Sequence, residues 1–350
     1  MKKLTAYALL LAACFFGGEA EVRAEGSARF DVVLDDIGYF PIGTIKALDD
    51  QVYVHVPAWR RLHRYDSAGN LTLDVDLVDF VDYLRKTDGL GAVSDFTVSS
   101  EGMIILAGPG NRGGAAVVFL KPDGTQQRTV IDSDGPEIFQ IGESGSGRLC
   151  ALGLNRGDEE ELQQMYLTGK PTRDGISYFP VLHFLDKGNQ RFHQDSGTRM
   201  LRPKAGPRAR AFLGALQTST LARDGEGNLY FVWQRSSLAM LGPSGGLRIL
   251  DPPKSKWPFR MIETIVSAAR GVLVVVTEGI NEAPEEERQE GLFILRNPVS
   301  RVFRYESKRS GFQELYLEKG LGRLVGEFSD GTLIHAIKRG PQLRIAEFQR

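Results

Sequence analysis

The stretch Asp224-Gly225-Glu226-Gly227-Asn228-Leu229-Tyr230 decides the fold of this chain. It places acidic residues and glycines, which suit a tight turn, directly before apolar residues that suit a β-strand. The same order of turn and strand recurs along the sequence, so we predict one structural repeat at each copy. The six copies are Leu48–Tyr53, Ser99–Ile104, Ser144–Leu149, Asp224–Tyr230, Ala269–Leu273 and Ser329–Ile334.

A second turn supports the repeat and gives its internal order of strand, turn, strand, loop, strand, turn, strand. Four antiparallel strands make one blade of a β-propeller, and no blade can bury both of its faces without neighbours. The sequence therefore predicts an all-β fold, a six-bladed β-propeller of four-stranded antiparallel blades. The copies of the second turn are Tyr65–Leu71, Phe119–Thr125, Phe184–Gln190 and Met240–Gly246.

The two ends of the chain are predicted to close the ring together. The last repeat contains only three strand patterns, whereas Ala28–Leu34 alternates like a strand that has no blade of its own. We expect this N-terminal strand to join the last blade, because closure removes exposed sheet edges. The predicted domain spans residues 28–350, with blades at Ile42–Leu77, Val93–Ile131, Glu137–Gln194, Thr218–Leu250, Ile262–Tyr305 and Leu321–Phe348.

Composition limits the possible functions and the redox chemistry. The net charge of −1 over 350 residues gives no global attraction to nucleic acid. Of the two cysteines, Cys14 lies in an N-terminal leader, so Cys150 is left without an internal disulfide partner. The apolar run around Cys150 predicts a buried, inert thiol. We expect a monomer without a cofactor.

The first 24 residues form the pattern of an export signal. Lys2 and Lys3 precede an apolar stretch, Leu4–Phe16, that is too short to span a membrane as a helix. Two alternatives remain for its processing. Leu11–Cys14 resembles a bacterial lipobox, which would make Cys14 a lipidated N-terminus, whereas cleavage after Ala20 or Ala24 would release a soluble product. Both predict an extracytoplasmic protein, in the bacterial periplasm or at the cell surface.

The fourth repeat carries a resemblance to a known family. Asp224–Tyr230, followed by Met240-Leu241-Gly242-Pro243-Ser244-Gly245, resembles the repeat of NHL-type six-bladed β-propellers. The first two repeats are similar but weaker, and the remaining three depart through insertions and lost glycines. The resemblance implies a bacterial extracytoplasmic propeller of a kind used mostly for binding, although some similar propellers are metal-dependent lyases or lactonases.

The sequence contains little catalytic chemistry. Its histidines show no i+2 or i+4 pair that would suit a metal. Asp95, near the start of a first strand, is a candidate ligand for an all-oxygen calcium site in the central channel. The five histidines are His55 and His335 in second strands, and His63, His183 and His193 in or beside third and fourth strands.

Arginines recur in the loops that join second to third strands. In a propeller these loops emerge on one face together with the linkers between blades, and arginine forks suit carboxylates, sulfates and phosphates. Three interpretations stay open: an anion-binding face, a mixed-charge protein-binding face that includes the acidic loops Glu159–Glu161 and Glu285–Glu287, or ordinary loop arginines. The candidate ligand-binding residues are Trp59, Arg60, Arg61, Arg112, Arg156, Arg235 and Arg339.

Taken together, these patterns favour a non-enzymatic binding or scaffold propeller. Its expected partner is an envelope protein or an anionic glycan, with membrane attachment only through a lipid on Cys14. The alternative is a metal-dependent hydrolase or lyase, similar to a lactonase, that uses channel carboxylates such as Asp95.

Overall fold

The computed structural model describes residues 30–37, 44–81, 89–154, 181–194, 221–233, 237–250, 253–257, 259–282, 284, 295–318 and 322–348. Across these ranges the chain forms 24 β-strands and one short 3-10 helix, Pro57–Trp59. The strands pair into six antiparallel sheets of four strands each. The predicted fold class, an all-β six-bladed propeller, is confirmed.

Blades 1 to 3 follow the order of the chain from the innermost to the outermost strand. Blade 1 contains β2 (Ile45–Leu48), β3 (Gln51–Val56), β4 (Arg61–Tyr65) and β5 (Leu71–Asp76). Blade 2 contains β6 (Asp95–Val98), β7 (Ile104–Pro109), β8 (Ala115–Leu120) and β9 (Gln126–Asp132). Blade 3 contains β10 (Glu137–Glu143), β11 (Leu149–Leu154), β12 (Val181–Leu185) and β13 (His193–Gln194).

Blades 4 and 5 repeat this order, and blade 6 combines both ends of the chain. Blade 4 contains β14 (Ala222–Arg223), β15 (Leu229–Trp233), β16 (Ser237–Leu241) and β17 (Leu247–Leu250). Blade 5 contains β18 (Phe259–Ser267), β19 (Val272–Asn281), β20 (Leu295–Glu306) and β21 (Arg309–Glu318). Blade 6 contains β22 (Arg323–Glu327), β23 (Leu333–Arg339), β24 (Gln342–Glu347) and, from the N-terminal side, β1 (Asp31–Leu34).

The ring closes as the sequence predicts. Strand β1 is the outermost strand of blade 6 and pairs antiparallel with β24, with Asp31 opposite Ala346 and Leu34 opposite Leu343. Phe30, just before this strand, packs its ring edge-on against Phe328 at a centroid distance of 5.7 Å. Closure therefore joins the two chain ends by a ladder and by a buried aromatic contact.

Blade 5 differs from the expected range, which ended at Tyr305. Its third strand, β20, runs through Pro298, and the true fourth strand, β21, lies beyond the expected limit. Proline cannot donate to a β-ladder. The pairing of β19 with β20 shifts register between Glu278 and Ile280, so Pro298 is accommodated at an irregularity within the strand.

The hydrophobic core lies between neighbouring blades. Every residue of Val272–Val276 in the second strand of blade 5 is at most 2% exposed, as expected for a strand that is covered on both faces. Each such aliphatic side chain contributes about 1.5–3 kcal/mol to folding by its burial. Cys150 is buried, as the sequence predicts, and burial raises the pKa of its thiol to about 12.

The turns between first and second strands, and between third and fourth strands, all lie on one face of the ring, which we call the turn face. Here Glu143, Ser267 and Glu327, the last residues of three first strands, and Asp50, in the turn of blade 1, accept hydrogen bonds from the preceding blade. These bonds join Ser100 N to Glu143 Oε2 (2.7 Å), Arg223 N to Ser267 Oγ (3.0 Å), Ala269 N to Glu327 Oε2 (3.0 Å) and Ser329 N to Asp50 Oδ1 (2.6 Å).

Gly227 shows how tightly two of these turns approach. Its φ of +81° lies in the left-handed region, and a Cβ at this position would be 2.4 Å from the Cα of Gly145 in the turn of blade 3. The amide of Gly145 also donates to the carbonyl of Gly227 at 2.8 Å. Glycine is needed here for both backbone conformation and space.

Candidate functional site

The loops between second and third strands lie on the opposite face of the ring, which we call the loop face. In blade 1 this connection is the short helix Pro57–Trp59, which ends at Arg60 in the left-handed conformation with a φ of 55°. Trp59 is half-buried, and its Nε1 donates to the carbonyl of Asp36 at 3.1 Å. This bond attaches the loop of blade 1 to the segment that follows the closing strand of blade 6.

Arg61, the next candidate, is compensated by acids of its own blade. Its guanidinium lies 2.9 Å from Asp74 Oδ1 and 3.6 Å from Asp76 Oδ2, both on β5. Asp74 Oδ1 also lies 3.2 Å from Nε2 of His63, whose Nδ1 is 3.0 Å from the hydroxyl of Tyr65. Arg61 therefore belongs to a polar cluster on the side of blade 1 and offers less charge to a partner than the sequence pattern suggests.

Two further candidates are exposed on the loop face. Arg112 lies in a glycine-rich connection of blade 2, where Gly113 and Gly114 adopt φ values of 89° and 71°. Arg339 ends β23 of blade 6 and is also exposed. Together with the exposed Arg60, these residues occupy the corresponding connections of three adjacent blades, 6, 1 and 2. Cys14, Arg156, Arg235 and the acidic loops Glu159–Glu161 and Glu285–Glu287 lie outside the described residues.

The first strands of the six blades form the wall of the central channel. Cα atoms of β6 and β10, β10 and β14, β14 and β18, β18 and β22, and β22 and β2 approach within 8 Å of each other. The remaining junction, between β2 and β6, is bridged by an ion pair in which Lys46 Nζ lies 2.9 Å from Asp95 Oδ1. Both side chains are almost completely buried.

Asp95 connects three blades. Its Oδ2 accepts a hydrogen bond from Lys46 Nζ of blade 1 at 3.0 Å and another from the backbone N–H of Ile141 in blade 3 at 2.9 Å. Lys46 also donates to the carbonyl of Phe96. The ladder of β10 shifts register between Ile138 and Gln140, next to Ile141, and such bulges re-aim local backbone groups. The Asp95 carboxylate therefore pairs with the ammonium group of Lys46 and accepts a hydrogen bond from a backbone N–H.

Two more charged residues, Glu263 and Arg323, lie on the first strands of the neighbouring blades 5 and 6. Glu263 sits at a register shift between Ile262 and Thr264 in β18 of blade 5, and Arg323 begins β22 of blade 6. Glu263 and Asp95 are the acidic electrostatic neighbours of Arg323. The four side chains therefore form one axial charge cluster with two basic and two acidic members: Lys46, Asp95, Glu263 and Arg323.

Burial dominates the electrostatics of this cluster. It lowers the pKa of the Lys46 ammonium, although the nearby Asp95 carboxylate opposes this shift. Burial also raises the pKa of Glu263, against the opposing effects of a hydrogen bond with Thr277 and of the Arg323 charge. Each charge depends on its neighbours, since an isolated charge in such surroundings is costly.

The contacts of Asp95 are unfavourable for the predicted metal site. A cation at Asp95 would have to compete with the Lys46 ammonium that already contacts both carboxylate oxygens. In the part of the chain that the structure describes, no three His, Cys, Asp or Glu side chains are grouped closely enough to hold a metal ion. The sequence pattern singled out Asp95 but did not identify Lys46, Glu263 or Arg323, which lie on the first strands of three other blades.

The histidines occupy the strand positions expected from the sequence. His55 and His335 lie in the second strands β3 and β23, and His183 lies in the third strand β12. Desolvation by burial lowers the pKa of each of these three to about 4. They are neutral at neutral pH and belong to the packed interior of the blades.

Comparisons with known proteins identify the class of protein by its fold. No family model matches the chain, and no curated protein sequence matches it. A solved structure of a member of the duf4221 family from Bacteroides vulgatus is similar over 92% of this chain and 97% of its own, with 10% identity and a TM-score of 0.51. Virginiamycin B lyase from Staphylococcus aureus is similar over 91% and 99% of the two chains, with 12% identity and a TM-score of 0.45.

The likeness to the duf4221 structure supports the fold alone, and with the strand pairing it defines the chain as a six-bladed β-propeller. Since one fold supports both binding proteins and enzymes, the class does not determine the function. A search of the described residues for a helix long and apolar enough to cross a membrane found none.

Proposed function

We propose that this protein is a non-enzymatic, extracytoplasmic binding or scaffold propeller of the NHL type, and that its loop face binds an envelope protein or an anionic glycan. One observation carries the proposal: Arg60, Arg112 and Arg339 are exposed at corresponding connections of three adjacent blades. Three guanidinium groups on one sector of a nearly neutral protein raise the local concentration of anionic partners.

The chemistry of this sector suits an interface. Arginine forms paired hydrogen bonds with carboxylates, sulfates and phosphates, and it is enriched among residues that dominate binding energy. Trp59 lies beside Arg60, half-buried and fixed through its Nε1, so it offers a rigid aromatic surface next to the charge. A fixed aromatic residue loses little conformational freedom when a partner binds.

The topology supports a consistent orientation for a lipid-anchored form. Asp31 pairs with Ala346 at the end of β24, which lies on the turn face, whereas Leu34 pairs with Leu343 near the loop face. The start of β1 therefore lies at the turn face. In our proposal residues 1–24 are the leader and tether, Cys14 carries the lipid, and residues 28–350 present the loop face away from the membrane.

The test compares two triple variants that remove the same charge from opposite faces. One carries R60A, R112A and R339A on the loop face; the other carries K121A, K187A and R270A, three exposed residues of the turn face. Binding of each purified protein to immobilised heparin, to a carboxylated glycan and to solubilised envelope proteins is measured at two salt concentrations. We expect the loop-face variant to lose about tenfold or more in affinity for one of these probes, which corresponds to about 1.4 kcal/mol.

Two outcomes would overturn the proposal. Equal losses in both triple variants would mean that net charge, rather than the loop face, determines binding. Turnover of a lactone or a related substrate by the wild type, abolished by D95N in a variant that still folds, would favour the hydrolase or lyase alternative instead. In that case attention would move to the axial charge cluster.

A further inference from the structure

The carboxylate of Asp74, in blade 1, contacts two basic side chains at once. Its Oδ1 lies 2.9 Å from Nη1 of Arg61 and 3.2 Å from Nε2 of His63. His63 lies directly opposite Asp74 on the ladder between β4 and β5, and Arg61 lies opposite Asp76. Directly opposed residues of antiparallel strands share a face of the sheet. One oxygen is therefore shared by a permanent cation and by a histidine, whose charge depends on pH.

The hydrogen bonds of His63 are compatible with both of its charge states. A carboxylate only accepts, so Nε2 carries the hydrogen that points to Asp74. Nδ1 lies 3.0 Å from the hydroxyl of Tyr65, so in the neutral ring Nδ1 accepts from that hydroxyl. In the protonated ring Nδ1 donates to the same oxygen instead. Protonation of His63 therefore keeps both contacts and needs no movement of the ring.

The surroundings of His63 on the side of blade 6 are mostly apolar. Tyr65 belongs to one buried cluster with Leu343 and other apolar residues of blade 6. Lys338 is opposite Leu343 on its ladder, so it shares that face at the end near the loop face, whereas Glu347 lies toward the turn face. Asp74 is therefore the acid that directly faces His63.

Burial places the protonation of His63 in mild acid. It lowers the pKa of the imidazole below the ordinary value of 6.5, while the Asp74 carboxylate opposes this shift and the Arg61 charge adds to it. The ring is therefore neutral at neutral pH and gains its proton below pH 6.5.

A proton on His63 changes the balance of charge at Asp74. The His63 side chain is 9% exposed, whereas that of Arg61 is 38% exposed. An ion pair shielded from water is stronger than one in solvent, so protonated His63 competes with Arg61 for the shared oxygen and also repels its guanidinium. What remains to Arg61 is the contact with Asp76 at 3.6 Å, between two side chains that are both open to solvent.

We propose that protonation of His63 releases Arg61 from Asp74, so that in mild acid the loop face presents Arg61 beside Arg60 to an anionic partner. The inference rests on the proposed function of the loop face and adds its regulation by pH. Arg60 is exposed and precedes Arg61 directly, and Trp59 holds the loop through its bond to Asp36. A second guanidinium at this position adds charge and a fork for sulfate or carboxylate groups.

The test measures binding of the full chain to heparin, at constant ionic strength, at about pH 7.5 (neutral) and about pH 5 (acid). We expect the wild type to bind about fivefold more tightly in acid, because one more guanidinium is available. H63Q cannot gain a proton, and R61Q lacks the released group, so each should change less than about twofold between the two conditions.

Two charge-matched variants and one histidine variant serve as controls. D74N removes the shared carboxylate and should bind at neutral pH as tightly as the wild type does in acid. D76N removes the same charge near Arg61 but keeps the shared oxygen, so its pH dependence should match that of the wild type. H193Q removes a half-buried histidine of blade 3 that lies 3.6 Å from Asp186, and it should also keep the pH dependence.

A measurement without ligand separates this inference from the proposed function. Nitrogen NMR of the Arg61 side chain, assigned with R61Q, should show restricted rotation of the guanidinium at neutral pH and free rotation in acid, but no such change in H63Q. If heparin binds in neither condition, the proposed function fails, and the rotation of Arg61 still decides the switch.

The melting temperature of each variant in both conditions checks that it folds, and D74N with D76N decides the question if H63Q does not fold. Heparin affinity of the wild type that is equal in both conditions would overturn the proposal. So would a pH dependence that persists in folded H63Q, equal behaviour of D74N and D76N, or rotation of Arg61 that acid leaves unchanged.

Discussion

The two faces of this propeller differ in what their residues do. On the turn face, neighbouring blades are joined by hydrogen bonds such as those of Glu143 with Ser100 and of Glu327 with Ala269. On the loop face, the corresponding connections of blades 1, 2 and 6 hold exposed arginines. The turn face therefore maintains the ring, and the loop face has room for residues that serve a partner. Separation of these roles lets one face change without weakening the other.

Acidification should cause the largest loss of stability, because it favours protonation of histidines that are buried in the blades between the two faces. Burial lowers the pKa of His55, His183 and His335 to about 4, below the ordinary value of 6.5, so the unfolded chain binds more protons between these two values. The contribution of these histidines to the free energy of unfolding is fully present above pH 6.5. It should decrease as the pH falls toward 4, by about 1.4 kcal/mol per pH unit for each histidine. Urea unfolding across this range measures the slope.

The variant H55L tests the origin of that slope. His55 is 3% exposed and is shifted by desolvation alone, so its replacement should remove about a third of the pH dependence. A slope that is unchanged in H55L would show that other groups govern acid unfolding. Separate transitions at the two faces would show that the ring does not unfold as one unit.

A methyl group at Gly227 should cause the next largest loss, and it tests the packing of the turn face. The added Cβ would lie 2.4 Å from Gly145 Cα in a left-handed backbone, so we expect G227A to cost about 4 kcal/mol of unfolding free energy. G245A in the same blade is the matched control, with a φ of +90° and no atom within 4 Å, and it should cost only about 1 kcal/mol. Equal losses would mean that backbone strain alone matters.

Removal of a bond between blades should have a smaller effect. Glu143 accepts from Ser100 N and pairs with Arg223 at 2.8 Å, and its side chain is 9% exposed. We expect E143A to cost about 2 kcal/mol, because the backbone N–H of Ser100 loses its acceptor and Arg223 loses its counter-charge. Glu101, whose pair with Lys187 spans 3.4 Å in solvent, provides the control, and E101A should leave the denaturation midpoint almost unchanged. A similar loss in both variants would contradict a special role of the turn-face bonds.

The contrast between the faces also explains what the sequence could predict. Turns such as Asp224–Tyr230 repeat because every blade needs the same bend, and the alternation of Ala28–Leu34 identified the strand that closes the ring. The fourth strand of blade 5 was missed because the turn that introduces it, Ser307-Lys308, contains none of the Gly or Asp residues that marked the others. A strand can therefore be predicted from the sequence where its turn contains the same residue types as the other copies of the repeat.

The axial charge cluster was harder to predict. Lys46 and Asp95 are 49 residues apart and meet only because the ring brings two first strands together. Within each strand, one charged residue among apolar neighbours has the same pattern as a solvent-facing position. Arg61 shows the opposite error of prediction. The sequence pattern selected it for an anion site, but Asp74 and Asp76 of its own blade compensate its charge.

The smallest effect we expect has the opposite sign and concerns the loop face. Arg60 holds a φ of 55°, a left-handed conformation that costs a residue with a side chain about 1 kcal/mol relative to glycine. R60G should therefore stabilise the protein by about that amount in urea unfolding while it weakens binding of an anionic partner. Arg112 has no positive φ, so R112G should lower stability slightly through the greater freedom of the unfolded chain. Stabilisation by R60G together with lost binding would mean that the loop face keeps a strained arginine for its partner; a loss of stability in R60G would instead place Arg60 among the residues that hold the ring.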